Sequence, residues 1–265
     1  MNQFDLLIKN GMVYTAVDSF EADIAVKDGK IIALGQNLGN AERVIDAEGM
    51  LVLPGGIDAH CHIEQESSTG IMTADDFYSG SVSAAFGGNT TFLPFAAQHR
   101  GQSLREVVDT ARDRARTKSV IDYGLHLIIS DPTEKVLEEE LPALIKEGYT
   151  SFKVYMTYEM LKINDREMLD ILALARKNGA MTMVHAENNE VITWITERLL
   201  TRGYHAPKFH AVSHAPIAES EASRRAIDLA RLVDAPLLIV HVSEPEAARA
   251  ILEARNNGLP IYGET

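Results

Sequence analysis

The chain has 265 residues, is 46% hydrophobic and 24% charged, and carries a formal net charge of -13. That composition supplies a sizeable core for one large domain, or for a large domain with a small one. The acidic balance argues against a nucleic-acid or anionic-membrane surface, because both need clustered Lys and Arg.

A single cysteine, Cys61, leaves no intrachain disulfide and points to a reducing compartment. The start MNQFDLLIKNG lacks a basic-then-apolar leader, and no apolar run is long enough to span a bilayer. A cytoplasmic protein without a membrane partner is expected.

Residues 1–53 read as a small β unit. DLLIKNGMVYT, ADIAVKDGKIIALG and ERVIDAEGMLVL alternate apolar and polar positions or are rich in Val and Ile. The pairs Asn10-Gly11 and Asp28-Gly29 read as turns between strands. From residue 54 the rhythm changes, and residues 54–265 read as repeated strand-then-helix units. GGIDAHCH, TTFLPFA, YGLHLIIS, SFKVYMTY, MTMVHAEN and PLLIVHVS are strand-like, each followed by a helical pattern, and PIYGET begins a seventh strand. Thr73, before Asp75 and Asp76, and Ser130-Asp131-Pro132 read as helix starts, while Gly148, Gly179 and Gly258 read as helix ends. The rhythm fits a parallel sheet with helices outside it, either an open doubly wound sheet or a (β/α)8 barrel.

The polar residues bear on that choice. His60 and His62 close the first of these strands, Lys153 lies in the fourth, His185 closes the fifth and His241 the sixth. In a barrel such C-terminal strand ends converge on one face, where active sites are built. Residues i and i+2 of a strand share a face about 6.6 Å apart along it, so His60 and His62 can aim at one ion. Cys61 points the other way, as a buried small hydrophobe rather than a ligand. One histidine after an apolar run is ordinarily a satisfied packing residue; four at the ends of three strands point to a metal site. Lys153, flanked by Phe152 and Val154, admits two readings. It is an ion-paired structural lysine, or a desolvated amine that reacts with carbon dioxide to give an anionic carbamate able to bridge metals.

Together PGGIDAHCH, TADDFYSGSVSAAFGGNTT, GYTSFKVYMTY, HAENNEVI, ESEASRRAIDLA and LLIVHVSE resemble the dihydropyrimidinase and D-hydantoinase family of the amidohydrolase superfamily. The likeness runs along essentially the whole chain. It implies a (β/α)8 TIM barrel, cut short after six to seven strands, beside an incomplete N-terminal β-sandwich part. It further implies two divalent ions, zinc by preference, with His60 and His62 on the more buried one and His185 and His241 on the more exposed one. Carbamylated Lys153 and a hydroxide would bridge them, and the hydroxide would attack a ring amide carbonyl. Tyr158, rather than Tyr155, is the expected oxyanion partner. The substrate would be a small cyclic amide, and the full-length protein a homotetramer.

The aspartate such enzymes use as ligand and proton shuttle has no match here, and the family sequence continues well past the equivalent of GET. An N-terminal fragment, inactive and poorly stable alone, is therefore expected. The stretches IEQESSTGIM and AAQHRGQ read as loops gating the substrate's exocyclic group, or simply as solvent-exposed loops. His99 lies near the mouth; it and His126, His205, His210 and His214 read as surface or packing residues. Dihydroorotases place an arginine just after the histidine pair, whereas Ile63 and Glu64 follow His62, which disfavours an anionic substrate at that point. Allantoinase is the nearer alternative, and a non-catalytic scaffold that has lost its ligands the more distant one.

Overall fold

The computed structural model describes residues 3–67 and 70–265. It divides into two compact units, Met1–Gly56 and Ile57–Thr265. In the first, the strands are β1 (Phe4–Tyr14), β2 (Ser19–Lys27), β3 (Lys30–Gly35), β4 (Ala41–Asp46) and β5 (Leu51–Val52). They form one sheet of order β3-β2-β1-β4, with β5 alongside β1. Asp28 and Gly29 turn β2 into β3 with φ of 51° and 70°, as a two-residue hairpin demands. Asn10-Gly11 does not turn the chain. It lies inside β1 as a bulge, where the register against β2 shifts between Ile8 and Gly11 and Asn10 takes φ 61°. A Cβ on Gly11 would sit 2.4 Å from Val52 Cγ2. The bulge shares with a turn the need for positive φ and bare backbone, so the same dipeptide serves both.

The second unit is built on β6 (Gly56–Cys61), β7 (Asn89–Ala97), β8 (Asp122–Tyr123), β9 (His126–Ile128), β10 (Ser151–Tyr155), β11 (Met181–His185), β12 (Leu237–Ile239) and β13 (Ile261–Gly263). The helices are α1 (Phe77–Phe86), α2 (Leu104–Lys118), α3 (Leu141–Lys146), α4 (Asp165–Asn178), α5 (Asn189–Thr201), α6 (His210–Ser213), α7 (Pro216–Leu232) and α8 (Pro245–Asn256). The sheet runs β13-β12-β11-β10-β9-β7-β6, and β8 pairs only with β7. Strand order follows chain order throughout. A doubly wound sheet would reverse that order at a switch point, so the barrel topology holds.

Period-two alternation sorts the strand residues into two layers. Leu127, Phe152, Val154, Val184, Leu237 and Ile239 pack outward against helix residues such as Leu144, Ile171 and Ala226. Phe95, Ile128, Tyr155, Met183 and Val240 form a second cluster inside the curl. Lys153 is in register with Ile128 on one side and Met183 on the other, so it belongs to the inner layer.

Two helix starts differ from the expected ones. Asp76, not Thr73, caps α1 by accepting from Tyr78 N and Ser79 N. After β9 the first cap contact is Thr133 Oγ1 accepting from Val136 N, and Val136–Glu140 winds as a π-helix before α3. Pro142 lacks the N–H that a regular ladder would use there. Buried Glu140 ties this segment to α2, accepting from Leu104 N at 2.7 Å and Ser103 Oγ at 2.8 Å, with Lys135 Nζ 3.1 Å away. Burial alone would push its carboxyl up; the bonds from Ser103, Lys135 and the backbone hold it below its ordinary value. An E140A variant is expected to unfold at lower urea, by roughly 2–3 kcal/mol, because two donors lose their acceptor. An unchanged midpoint would remove this carboxylate from the account of stability. Among the described residues no helix is long and apolar enough to cross a membrane.

Candidate metal centre

The structure brings His60, His62, Lys153, His185 and His241 together. Ring centroids lie 5.5 Å apart for His60 and His62, 5.8 Å for His60 and His241, and 4.5 Å for His185 and His241. Lys153 Nζ stands 2.7 Å from His60 Nε2. Phe95 and Tyr155 flank the amine, their centroids 4.7 Å and 5.2 Å from Nζ. His60 sits on β6 and His62 just past its end, so strand alternation accounts for this pair. His185 ends β11 in register with Tyr155 and stacks on it, centroid to centroid 5.3 Å.

His241 arrives differently. Leu238 and Val240 belong with the inner cluster, so simple alternation would send residue 241 outward. The chain instead takes a left-handed backbone at His241, φ 41°, two residues past β12, and the ring swings in. Tyr158, on the turn after β10, is left-handed too, with φ 68°, and its ring is 5.1 Å from that of His185. Such conformations cost about 1–3 kcal/mol each for non-glycine residues and gather at functional sites.

His60 is half-buried and His62 exposed; His185 is buried and His241 exposed. Each pair thus has one enclosed and one open ring.

Burial favours the neutral forms of His62 and His241. Desolvation first, then the positive fields of His185 and Lys153, bring His241 down to about 4. Desolvation likewise lowers His62, against the hydrogen bond with Gln65. Lys153 is 1% exposed, and burial lowers it from 10.5 to about 8 even though the Glu264 carboxylate pulls upward. Neutral imidazole is the donor form a divalent ion takes, and a buried amine of lowered pKa is the form that gives a carbamate. Among the described residues no three His, Cys, Asp or Glu side chains are already disposed to hold an ion; the cluster is arranged as packed rings with the lysine among them. The donor types and their gathering fit a metal centre.

Three partners of these rings stand outside the expected set. Glu264, just after β13, bonds His60 Nδ1 from 204 residues away. Glu187 Oε2 lies 2.7 Å from His185 Nε2, and Gln65 Oε1 2.7 Å from His62 Nδ1. Glu187 is two residues past His185 and could have been read by the same-face rule; Glu264 offered no local signal. Burial raises Glu187, but the bond with His185 and the nearby histidines bring it below its ordinary value.

The remaining candidates take structural places. Cys61 packs near Phe77 and Phe92, and burial pushes its thiol up to about 12. Glu64 turns away from the cluster, accepting from Lys118 Nζ at 2.7 Å and from Phe77 N at 3.2 Å. His126 is buried between Ser151 Oγ and the Ala59 carbonyl. His205 and His210 are exposed, and His214 lies within the field of Glu187. The two expected gating loops line one cavity of about 280 Å³, with Gln65 and Met72 on one side and Ala97 and His99 on the other. Residues 68 and 69 of the first loop lie outside the described residues.

Polar groups at the C-terminal strand ends of a parallel β/α barrel sheet mark the class of barrel enzymes. The chain belongs to the amidohydrolase family, whose model matches residues 51–260. Amidohydrolases generally use divalent metals. The D-hydantoinase of Geobacillus stearothermophilus is 45% identical over 261 residues, 98% of this chain and 55% of that protein. The dihydropyrimidinase of Rattus norvegicus is 37% identical over 98% of this chain and 51% of its own length. A solved D-hydantoinase structure superposes with TM-score 0.95 at 44% identity, covering 99% of this chain and 57% of that one. The L-hydantoinase (dihydropyrimidinase) from Arthrobacter aurescens gives 0.87 at 27% identity, covering 99% and 58%. The chain spans about half the length of the curated relatives it matches.

Proposed function

We propose that this chain carries the metal-ligand part of a hydrolase that opens hydantoin or dihydropyrimidine rings. The observation that carries the reading is the gathering of His60, His62, His185 and His241 around Lys153 in a chain so similar to hydantoinases. These five residues would hold two divalent ions, zinc by preference. Such ions, when bound, acidify water toward neutral pH and polarise the amide carbonyl. Lys153 is placed to become a carbamate: its neutral amine bonds to the carbon of carbon dioxide and releases one proton, leaving an anion with two ligand oxygens.

Tyr158 is the proposed donor to the carbonyl oxygen as charge develops there. It is 41% exposed at the mouth, whereas Tyr155 is 5% exposed and stacked under His185, out of a substrate's reach. The proton shuttle to the ring nitrogen belongs to the part of the relatives that this chain does not span. A homotetramer for the full-length protein rests on resemblance alone, and a cytoplasmic location on the single cysteine. Allantoinase shares the same metal logic. Ile63 and Glu64 after His62, where dihydroorotases place an arginine, disfavour an anionic substrate, and Tyr158 favours the hydantoinase side.

The test is a chimera in which residues 1–265 are continued by the C-terminal portion of the Geobacillus D-hydantoinase. It should open 5-substituted hydantoins or dihydrouracil after loading with zinc. A well-folded chimera that binds two ions per subunit yet opens only allantoin, or no ring at all, would overturn the reading. In the same chimera Y158F should lower kcat by about 10²–10³-fold with metal content unchanged. Unchanged kcat would return Tyr158 to a packing role.

A further inference from the structure

The hydrogen bonds around the cluster carry information about which nitrogen of each ring holds its proton. An ionised carboxylate accepts and does not donate, so a ring nitrogen bonded to it must carry hydrogen. Glu264 meets His60 at Nδ1. Lys153 Nζ meets the same ring at Nε2, 2.7 Å away, in the position of a donor to a lone pair. Both contacts demand the same form of His60, with hydrogen on Nδ1 and a lone pair on Nε2. Glu187 meets His185 at the other nitrogen, Nε2, at 2.7 Å. His185 therefore carries hydrogen on Nε2, and its neutral ring presents the lone pair at Nδ1.

We propose that Glu264 and Glu187 are positioning residues that set opposite tautomers in His60 and His185. Each ring is thereby fixed with the nitrogen nearest its carboxylate closed and the far nitrogen open to a metal. The two carboxylates reach the cluster by unrelated routes. Glu187 is local, two residues beyond its histidine. Glu264 comes from the seventh barrel strand to the first, so it fixes His60 only when the sheet is curled. A carboxylate behind a ligating imidazole also strengthens the ring as a donor. That consequence rests on the metal-centre reading above; the tautomer assignment does not.

The test uses the 265-residue chain labelled with ¹⁵N-histidine, freed of metal with chelator, and long-range ¹H–¹⁵N spectra. The wild type should show His60 protonated at Nδ1 and His185 at Nε2. E264A should release His60 into a mixture and leave His185 unchanged, and E187A should do the reverse. His62, bonded to Gln65, should be unaffected by either and serves as the internal reference. E264Q and E187Q keep an acceptor oxygen and should restore the wild-type forms. Circular dichroism shows whether each variant folds, and the glutamine variants decide the matter if an alanine variant does not. In parallel, Zn²⁺ and Co²⁺ affinities are measured by chelator competition. Each alanine variant should bind about 10–100-fold more weakly. Wild-type tautomers retained in both folded alanine variants would overturn the proposal. A wild type that shows the expected tautomers supports the positioning roles whether or not this chain binds either ion, and the metal reading then stands or falls on the chimera.

Discussion

Replacing Lys153 by methionine is expected to stabilise the metal-free chain at pH 7 by up to about 3 kcal/mol, and to abolish turnover in the chimera. The gain in stability comes from burial. Lys153 is 1% exposed, and its amine falls from 10.5 to about 8 mainly through desolvation. A fall of that size means the folded chain disfavours the charged form. Each tenfold loss of proton affinity corresponds to about 1.36 kcal/mol. At pH 7 both folded and unfolded chains hold the proton, so the full cost falls on the fold. Methionine fills a similar volume without charge. It loses the bond to His60 and the ring contacts with Phe95 and Tyr155, which offset part of the gain.

The pH dependence gives the sharper check. Between about 8 and 10.5 the folded wild type releases a proton that the unfolded chain retains, so wild-type stability rises with pH in that window. The advantage of K153M should be constant below pH 8, shrink above it and vanish near pH 10.5. Urea unfolding of both proteins at pH 7 and pH 10, in carbonate-free buffer, measures it. A destabilised K153M, or a gap that does not change with pH, would show that Lys153 is an ion-paired structural residue. A residue that lowers stability where it stands is held there by chemistry, and the loss of turnover tests that half.

Much of this site was legible because strand geometry is simple. His60 and His62 share a face by period two, and the apolar flanks of Lys153 left it only the inner one. The seven strands followed from the alternation of short apolar runs with amphipathic helices. What escaped was whatever depends on a backbone leaving that regularity. His241 is expected at the site from its strand-end position, but the way it gets there is not: alternation alone would aim it outward, and a left-handed φ of 41° brings it to His185. Asn10-Gly11 carries a turn signal that a bulge uses equally. The π-wound segment before α3 answers Pro142 and buried Glu140, whose partners lie on α2. Glu264 pairs with His60 across 204 residues, a contact that no local pattern encodes.

The second large effect concerns the open edges of the sheet. Its end strands, β6 and β13, each pair on one side only among the described residues. A closed β/α barrel has eight strands, so the backbone groups along these two edges lack the partner a complete barrel supplies. The contact of Glu264 with His60 does not supply it, because those side chains meet inside the curl and leave the strand edges bare. The apolar surface near the first edge is also uncovered: Ile57 on β6 is 65% exposed and Phe86 on α1 is 91% exposed. Residues 1–265 alone should therefore self-associate as concentration rises and open no cyclic amide at a measurable rate, even with zinc. Sedimentation velocity across a concentration series measures the first and ring-opening assays the second. The pair I57K/F86K places charge where a neighbour would dock and should shift the distribution toward monomer without creating activity. The chimera should gain both properties together, a defined oligomer and turnover, because the eighth strand and helix of a closed barrel would cover both edges and the relative's C-terminal portion would complete the proposed site. Robust hydantoin opening by a monodisperse 265-residue chain would sink this account, and would show that the residues already gathered around Lys153 suffice.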